Sequence, residues 1–258
     1  MWVVRNAVGQ WQALKAVYQS NFGGYSKPYE TEFSGIERYK PISDKHPGLL
    51  RVDFVSRKKR AGYFYYVMEL GDSLAEGWRE NPSLYRPRDL ASVRAGAPGR
   101  RLPVQMCRRI GITLCEALDF LHRQQLTHRD IKPQNIIFVN GQPKLADVGL
   151  VADIRPDSAV RTLVGTPGYM PPAPEIPGTP EADIYGLGMV LYVISTGRDP
   201  NYFHEMSTTL PPSGLLNTVI LKACQPDREK RYASAAEMRA ALAHAQLAAE
   251  RDGTAECP

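Results

Sequence analysis

Over residues 1 to 71 the apolar positions fall in short β-branched or aromatic runs, "MWVV", "WQALKAV", "GLLRVDFV" and "YFYYVMEL", separated by turn residues such as Asn6, Gly9 and Gly62. Runs of this length and chemistry, bounded by Gly and Asn, predict strands. One stretch changes period: in "YETEFSGIERY" Phe33, Ile36 and Tyr39 recur at helical spacing, and Pro41 stops the pattern. After Gly71 the character shifts. Residues 78 to 103, "WRENPSLYRPRDLASVRAGAPGRRLP", are rich in Arg and Pro and predict a surface excursion that is helical in part. Helical patterns then dominate. "VQMCRRIGITLCEALDFLH" sets Cys107, Ile110, Leu114, Ala117, Leu118 and Leu121 on one stripe, as a core-facing helix does. "EADIYGLGMVLYVISTG" is apolar almost all round, which predicts a buried central helix ended by Gly197. "SAAEMRAALAHAQLAA" follows Ser234 as an N-cap. No internal repeat is evident, and the class predicted is α+β, a small β-rich part followed by a larger α-rich one.

Against this background "LTHRDIKPQNIIF", residues 126 to 138, places His128, Arg129, Asp130, Lys132 and Asn135 between apolar runs. The next residues, "NIIFVNGQPKLAD", carry Asn140-Gly141 between two strand-like runs, the strongest short-range hairpin signal, because both central residues take positive φ. A two-residue turn pairs 139 with 142, 137 with 144 and 135 with 146, and so sets Asn135 beside Asp147. An amide oxygen and a carboxylate at one end of a hairpin are hard oxygen donors suited to Mg²⁺, which keeps several waters and also binds phosphates. On the same short loop, Asp130 is able to accept a hydroxyl proton and Lys132 to neutralise charge on a transferring phosphoryl group.

Composition adds limits. The 258 residues are 43% hydrophobic and 23% charged, enough for a sizeable core in one or two compact units. A net charge of +5 suits an anionic ligand but is also an ordinary solvated surface, so it decides little. The longest apolar stretch, "LGMVLYVI", falls short of the roughly 20 residues of a membrane span, and the N-terminus lacks a signal-peptide apolar region. The expectation is a cytoplasmic protein without a membrane span. Cys107, Cys115, Cys224 and Cys257 are unclustered, which argues against a disulfide framework and a zinc site.

"HRDIKPQN" together with "DVG" at 147 to 149 resembles the catalytic loop and magnesium motif of the eukaryotic-type (Hanks-type) serine/threonine protein kinases, here of a bacterial kind. Five matching fixed positions arise by chance in well under about one chain in a thousand. The resemblance implies a bilobal fold, with an N-lobe at 1–71, a C-lobe at 72–247 and a tail at 248–258. It implies ATP and Mg²⁺ as cofactors and serine or threonine hydroxyls of proteins as substrates. Asp130 would be the catalytic base and Lys132 would steady the γ-phosphate, while Asn135 and Asp147 would hold Mg²⁺. Lys15 would grip the α- and β-phosphates and Ala13 pack on adenine. Met68 would be the gatekeeper, with Glu69 and Gly71 offering backbone groups to the base. "VGTPGYMPP" resembles the end of an activation segment with Thr166 near the base, Asp183 the helical aspartate that braces the catalytic loop, and Arg231 the partner of a glutamate near the segment's end.

The chain departs from the family pattern in places. Glu32 and Glu37 compete as partner of Lys15; Glu32 is followed one turn on by apolar Ile36 and Glu37 by Pro41, so Glu32 is expected. Counting from Thr166 reaches Ala173 where the family has its glutamate, and Glu175 in "APE" is assigned instead. Val148 stands for the usual phenylalanine. No GxGxxG occurs, and "MWVV" resembles the strand just after that loop, so the first strand and glycine-rich loop are missing from the expected N-lobe. Two explanations stand: an internal or misassigned start, or a natural lack of the loop. The competing class is therefore a pseudokinase or nucleotide-binding interaction module. Bland readings apply elsewhere. "SRKKR" at 56 to 60 is a solvated turn rather than a nucleic-acid grip, and His128 is structural. Ser158 and Thr162 are either phosphosites read by Arg129 or ordinary loop hydroxyls. "GDSL" at 71 to 74 matches a serine-esterase signature, but nothing after Asp227 supplies that family's DxxH element.

Overall fold

A computed structural model describes residues 1–23, 25–147, 152–153, 165–175, 178–203 and 214–253. Its β-strands are β1 (Trp2–Arg5), β2 (Trp11–Tyr18), β3 (Val52–Lys58), β4 (Tyr63–Glu69), β5 (Leu126–Thr127), β6 (Ile136–Val139), β7 (Gln142–Leu145) and β8 (Ala152–Asp153). Its helices are α1 (Ser26–Tyr39), α2 (Leu90–Gly96), α3 (Val104–Arg123), α4 (Pro180–Thr196), α5 (Leu215–Ala223) and α6 (Ala235–Gly253). The chain forms two compact units, Met1–Leu90 with Asn135–Ala152, and Ala91–Gln134 with the residues from Asp153 on. The division expected at residue 71 is a linear one; by contacts, the chain leaves the first unit after Leu90 and returns to it at Asn135.

In the first unit an antiparallel sheet runs in the order β1-β2-β4-β3. Directly opposed residues of antiparallel strands share a face, so the pairs Ala13–Met68, Lys15–Tyr66 and Val17–Phe64 lie on one side. That side is buried at Ala13, Val17, Phe64, Tyr66 and Met68. α1 covers it, with Tyr29 and Phe33 packing 5.3 and 5.1 Å from the Phe64 ring. The helical spacing of Phe33, Ile36 and Tyr39 serves this contact, since Ile36 and Tyr39 are fully buried and each such side chain contributes about 1.5–3 kcal/mol of burial. Tyr39 pairs its polar end as well, donating to the Leu50 carbonyl at 2.8 Å.

The second unit is helical. The stripe expected on α3 is buried throughout, as is every residue of α4 from Ala182 to Ile194. α4 starts at Thr179, whose hydroxyl accepts from the Ala182 amide, and ends at Gly197 in the left-handed region. Ser234 caps α6 by accepting from the Glu237 amide at 3.1 Å, and the Glu237 carboxylate in turn accepts from the Ala233 amide at 2.8 Å. Among the described residues no helix is long and apolar enough to cross a membrane. Cys107, Cys115 and Cys224 are buried free thiols, and Cys257 lies outside the described residues.

Candidate active site

The hairpin forms in the expected register. Val139 opposes Gln142, Ile137 opposes Lys144, and the Ala146 amide donates to the Asn135 carbonyl at 2.8 Å, one step past the strands. Asn140 and Gly141 have φ of 52° and 75°, the pair of left-handed residues that a tight hairpin turn needs. Asn135 and Asp147 therefore flank the open end of the hairpin. Asn135 is buried; Asp147 has φ of 55°, a conformation Asp tolerates better than most residues, and remains half-exposed.

The Asp147 carboxylate reaches Lys15 on β2, Oδ1 to Nζ 2.7 Å. Glu32 on α1 approaches the same ammonium at 3.7 Å, while Glu37 is exposed. Burial works against the Lys15 charge, yet Tyr66, Asp147 and Glu32 outweigh it and hold the Lys15 pKa above its ordinary value. Burial pushes the Glu32 carboxyl up; Lys15 pulls it down, but Asp147 adds repulsion, and the net shift is upward.

Of the residues expected to meet a base, Ala13 and Met68 are opposed and buried. The Glu69 carboxylate is engaged within the unit, accepting from the Arg51 amide at 2.8 Å and from Lys144 Nζ at 2.6 Å, and the Glu69 amide donates to the Arg51 carbonyl at 3.0 Å. The Gly71 carbonyl accepts from the Tyr85 hydroxyl at 3.1 Å. Asp72 is a residue sequence reasoning missed. Its two oxygens accept from the amides of Asn140 and Gly141, at 2.9 and 2.8 Å, and so fasten the hairpin turn to the segment after β4. No local signal marks this contact, because its partners are 68 and 69 residues apart.

The second unit holds the other expected residues. Asp130 is buried, and its Oδ1 accepts from the Thr166 hydroxyl at 2.8 Å while Lys132 Nζ stands 2.8 Å from its Oδ2. Lys132 also donates to the Thr166 oxygen at 2.9 Å, closing a ring of carboxylate, ammonium and hydroxyl. The loop is braced from α4. Asp183, in the first turn of that helix, accepts from the backbone amides of His128 and Arg129, both at 2.8 Å, and meets His122 Nε2 at 2.9 Å. The brace holds Arg129 at φ of 72°, a strained value for a long side chain. Burial would raise the Asp183 pKa, but His122, His128 and the His128 amide favour the charged form and hold it below the ordinary carboxylate value.

Arg231 forms a two-pronged pair with Glu175, at 3.0 and 2.7 Å, so the irregular "PPAPE" stretch resolves in favour of Glu175 over Ala173. The same guanidinium donates to the carbonyls of Gln225, Glu181 and Pro226. Ser73 of "GDSL" is tied into its own loop, accepting from the amides of Ala75 and Arg86. In "SRKKR", Arg57 pairs with Glu30, and residues 59 to 61 form an exposed turn between β3 and β4. Val148, Gly149, Ser158 and Thr162 lie outside the described residues.

Comparison with known proteins bears on the whole arrangement. The family model described as the protein kinase domain matches residues 3–240. Among curated proteins, the chain is 36% identical over 163 residues to the serine/threonine-protein kinase PknB of Mycobacterium leprae, covering 55% of this chain and 26% of that protein. It is 35% identical over 166 residues to CBL-interacting protein kinase 4 of Oryza sativa subsp. japonica, covering 60% of this chain and 32% of that one. It is 37% identical over 151 residues to PknB of Mycobacterium tuberculosis, covering 50% of this chain and 24% of that one. The match thus spans between about a quarter and a third of the length of these relatives.

Proposed function

The chain belongs to the protein kinase family, and from that premise we propose that it is an active, cytoplasmic serine/threonine kinase moving the γ-phosphoryl group of ATP to protein hydroxyls. Asp130 orients the substrate hydroxyl and accepts its proton; the freed oxygen bonds to the γ-phosphorus as the bond to the β-phosphate oxygen breaks, and ADP carries away the charge. Lys132 neutralises the phosphoryl oxygens in passage. Lys15, held by Glu32, grips the α- and β-phosphates. Ala13 and Met68 pack against adenine, and the backbone at Glu69 and Gly71 reads its edge. The oxygen donors of Asn135 and Asp147 fit Mg²⁺, which when bound would offset phosphate charge. The lobes are proposed at 1–71 and 72–247.

One observation carries this reading: Thr166 holds a hydroxyl on Asp130 at 2.8 Å with the Lys132 ammonium 2.9 Å from the same oxygen. A threonine hydroxyl held jointly by the carboxylate and the ammonium supports the reading that this pair receives the functional group a substrate would bring. The pseudokinase reading rests on the lack of GxGxxG in the chain. Phosphate transfer from labelled ATP to the protein itself or to a generic basic protein decides between them. Asp130→Asn is expected to lower kcat by about 10²- to 10⁴-fold, the usual worth of a general base. Transfer unaffected by that change overturns the assignment of the base, and nucleotide binding without any transfer by the parent chain favours the pseudokinase.

A further inference from the structure

Alternate residues of a strand share a face, so Lys15, Ala13 and Trp11 form a row along β2, with Tyr66 opposite Lys15, Met68 opposite Ala13 and Arg5 opposite Trp11. Four residues of strand span roughly 13 Å, which sets Trp11 that far from the Lys15 position and one step beyond Ala13. The indole there is held firmly. The Arg5 guanidinium lies 4.2 Å from its ring centre, and Trp78, from the excursion after β4, lies 5.5 Å away at a tilt of 56°. Trp78 in turn meets Tyr85 edge-on at 5.3 Å, with Arg79 at 5.0 Å over its ring. Tyr85 is buried and donates to the Gly71 carbonyl. Gly71 itself lies flush on the hairpin, where any β-carbon would collide with Ile137 Cγ2. A continuous chain of contacts thus runs from Gly71 through Tyr85 and Trp78 to the start of the strand that carries Lys15.

Resting on the ATP reading above, we propose that Trp11 and Trp78 form the outer wall of the base site and take the edge of the adenine ring. With phosphates at Lys15 and the purine over Ala13, the next side chain in the row is Trp11. Both indoles are only half-buried, so they keep apolar surface available for a planar ligand, whereas Tyr85, which serves as the anchor, is buried. The guanidiniums of Arg5 and Arg79 hold the rings and add positive charge on the approach of an anionic nucleotide.

Calorimetric titration of the whole chain with Mg²⁺–ATP and with adenosine tests this. Trp78→Ala is expected to weaken both ligands by the same factor, about tenfold, the scale of losing one base–aromatic contact. Trp78→Phe should restore most of the loss, and Lys15→Met should weaken ATP while leaving adenosine affinity in place. Tryptophan fluorescence of the parent should change as adenosine binds, and the change should shrink in both Trp78 variants. Circular dichroism melting identifies a Trp78→Ala chain that fails to fold, in which case Trp78→Leu, which keeps bulk without an aromatic ring, is read in its place. If the parent binds ATP and adenosine but neither Trp78→Ala nor Trp78→Leu alters either affinity, the wall is wrong and the kinase reading stands. If the parent binds no nucleotide at all, the kinase reading fails and the wall with it.

Discussion

Each unit draws a carboxylate away from water, Asp183 fully and Glu32 in large part, and the two are treated oppositely. Asp183 in the second unit is saturated by two backbone amides and an imidazole, all within 2.9 Å, and its pKa is depressed. Glu32 in the first unit has a more distant cation, 3.7 Å away and shared with Asp147, and its pKa is raised. Hydrogen bonds to the charged form outweigh burial in one case, while burial wins in the other. The difference teaches that the Asp183 brace is complete within the protein, whereas in the Lys15 cluster two carboxylates divide a single ammonium.

The contrast can be broken most directly at Asp183. Asp183→Asn removes a charged acceptor from three buried donors and is expected to cost about 3 kcal/mol of unfolding free energy, read from urea denaturation. Because the depressed pKa stabilises the fold above the ordinary value of 3.8 and that stabilisation is lost as pH falls through the folded value, the acid limb should also flatten in this variant. Next, Thr166→Val deletes the hydroxyl between Asp130 and Lys132, and kcat should fall about tenfold, the worth of a hydrogen bond to a charged group. Smaller is Asp72→Ala, which frees the hairpin turn. It should cost about 1–2 kcal/mol and raise the Mg²⁺ concentration needed for half-maximal phosphate transfer.

Smallest in stability is Glu32→Gln. A raised carboxyl pKa means the folded state holds its proton longer, so stability falls as pH rises from the ordinary 4.5 through the folded value. Removing the charge should abolish that fall and change neutral-pH stability by less than about 1 kcal/mol, while phosphate transfer drops because Lys15 loses its second partner. If Glu32→Gln costs as much stability as Asp183→Asn, the two carboxylates are alike and the comparison collapses.

Much of the fold was legible because its elements are locally consistent. The α3 stripe, the all-apolar α4 and the Asn140-Gly141 turn each encode their outcome within one segment, and the choice of Glu32 followed from where the helix had to bury Ile36. The Asp130, Lys132 and Asn135 loop could be read because its residues are sequential. What escaped notice depends on separation in sequence. Asp72 meets amides 68 and 69 residues away, and Trp11 meets Trp78 across an excursion that composition marks only as Arg- and Pro-rich surface. Glu69 was read for its backbone alone, and its carboxylate turned out to hold Lys144.

The latch at Asp72 turns the hairpin into one end of a lever. Whatever wedges itself beneath that short stretch, a synthetic compound as well as a natural ligand, would tug on the far turn and so disturb Asn135 and Asp147 without touching either. A compound meant to act on those two residues could therefore be aimed at the buckle alone.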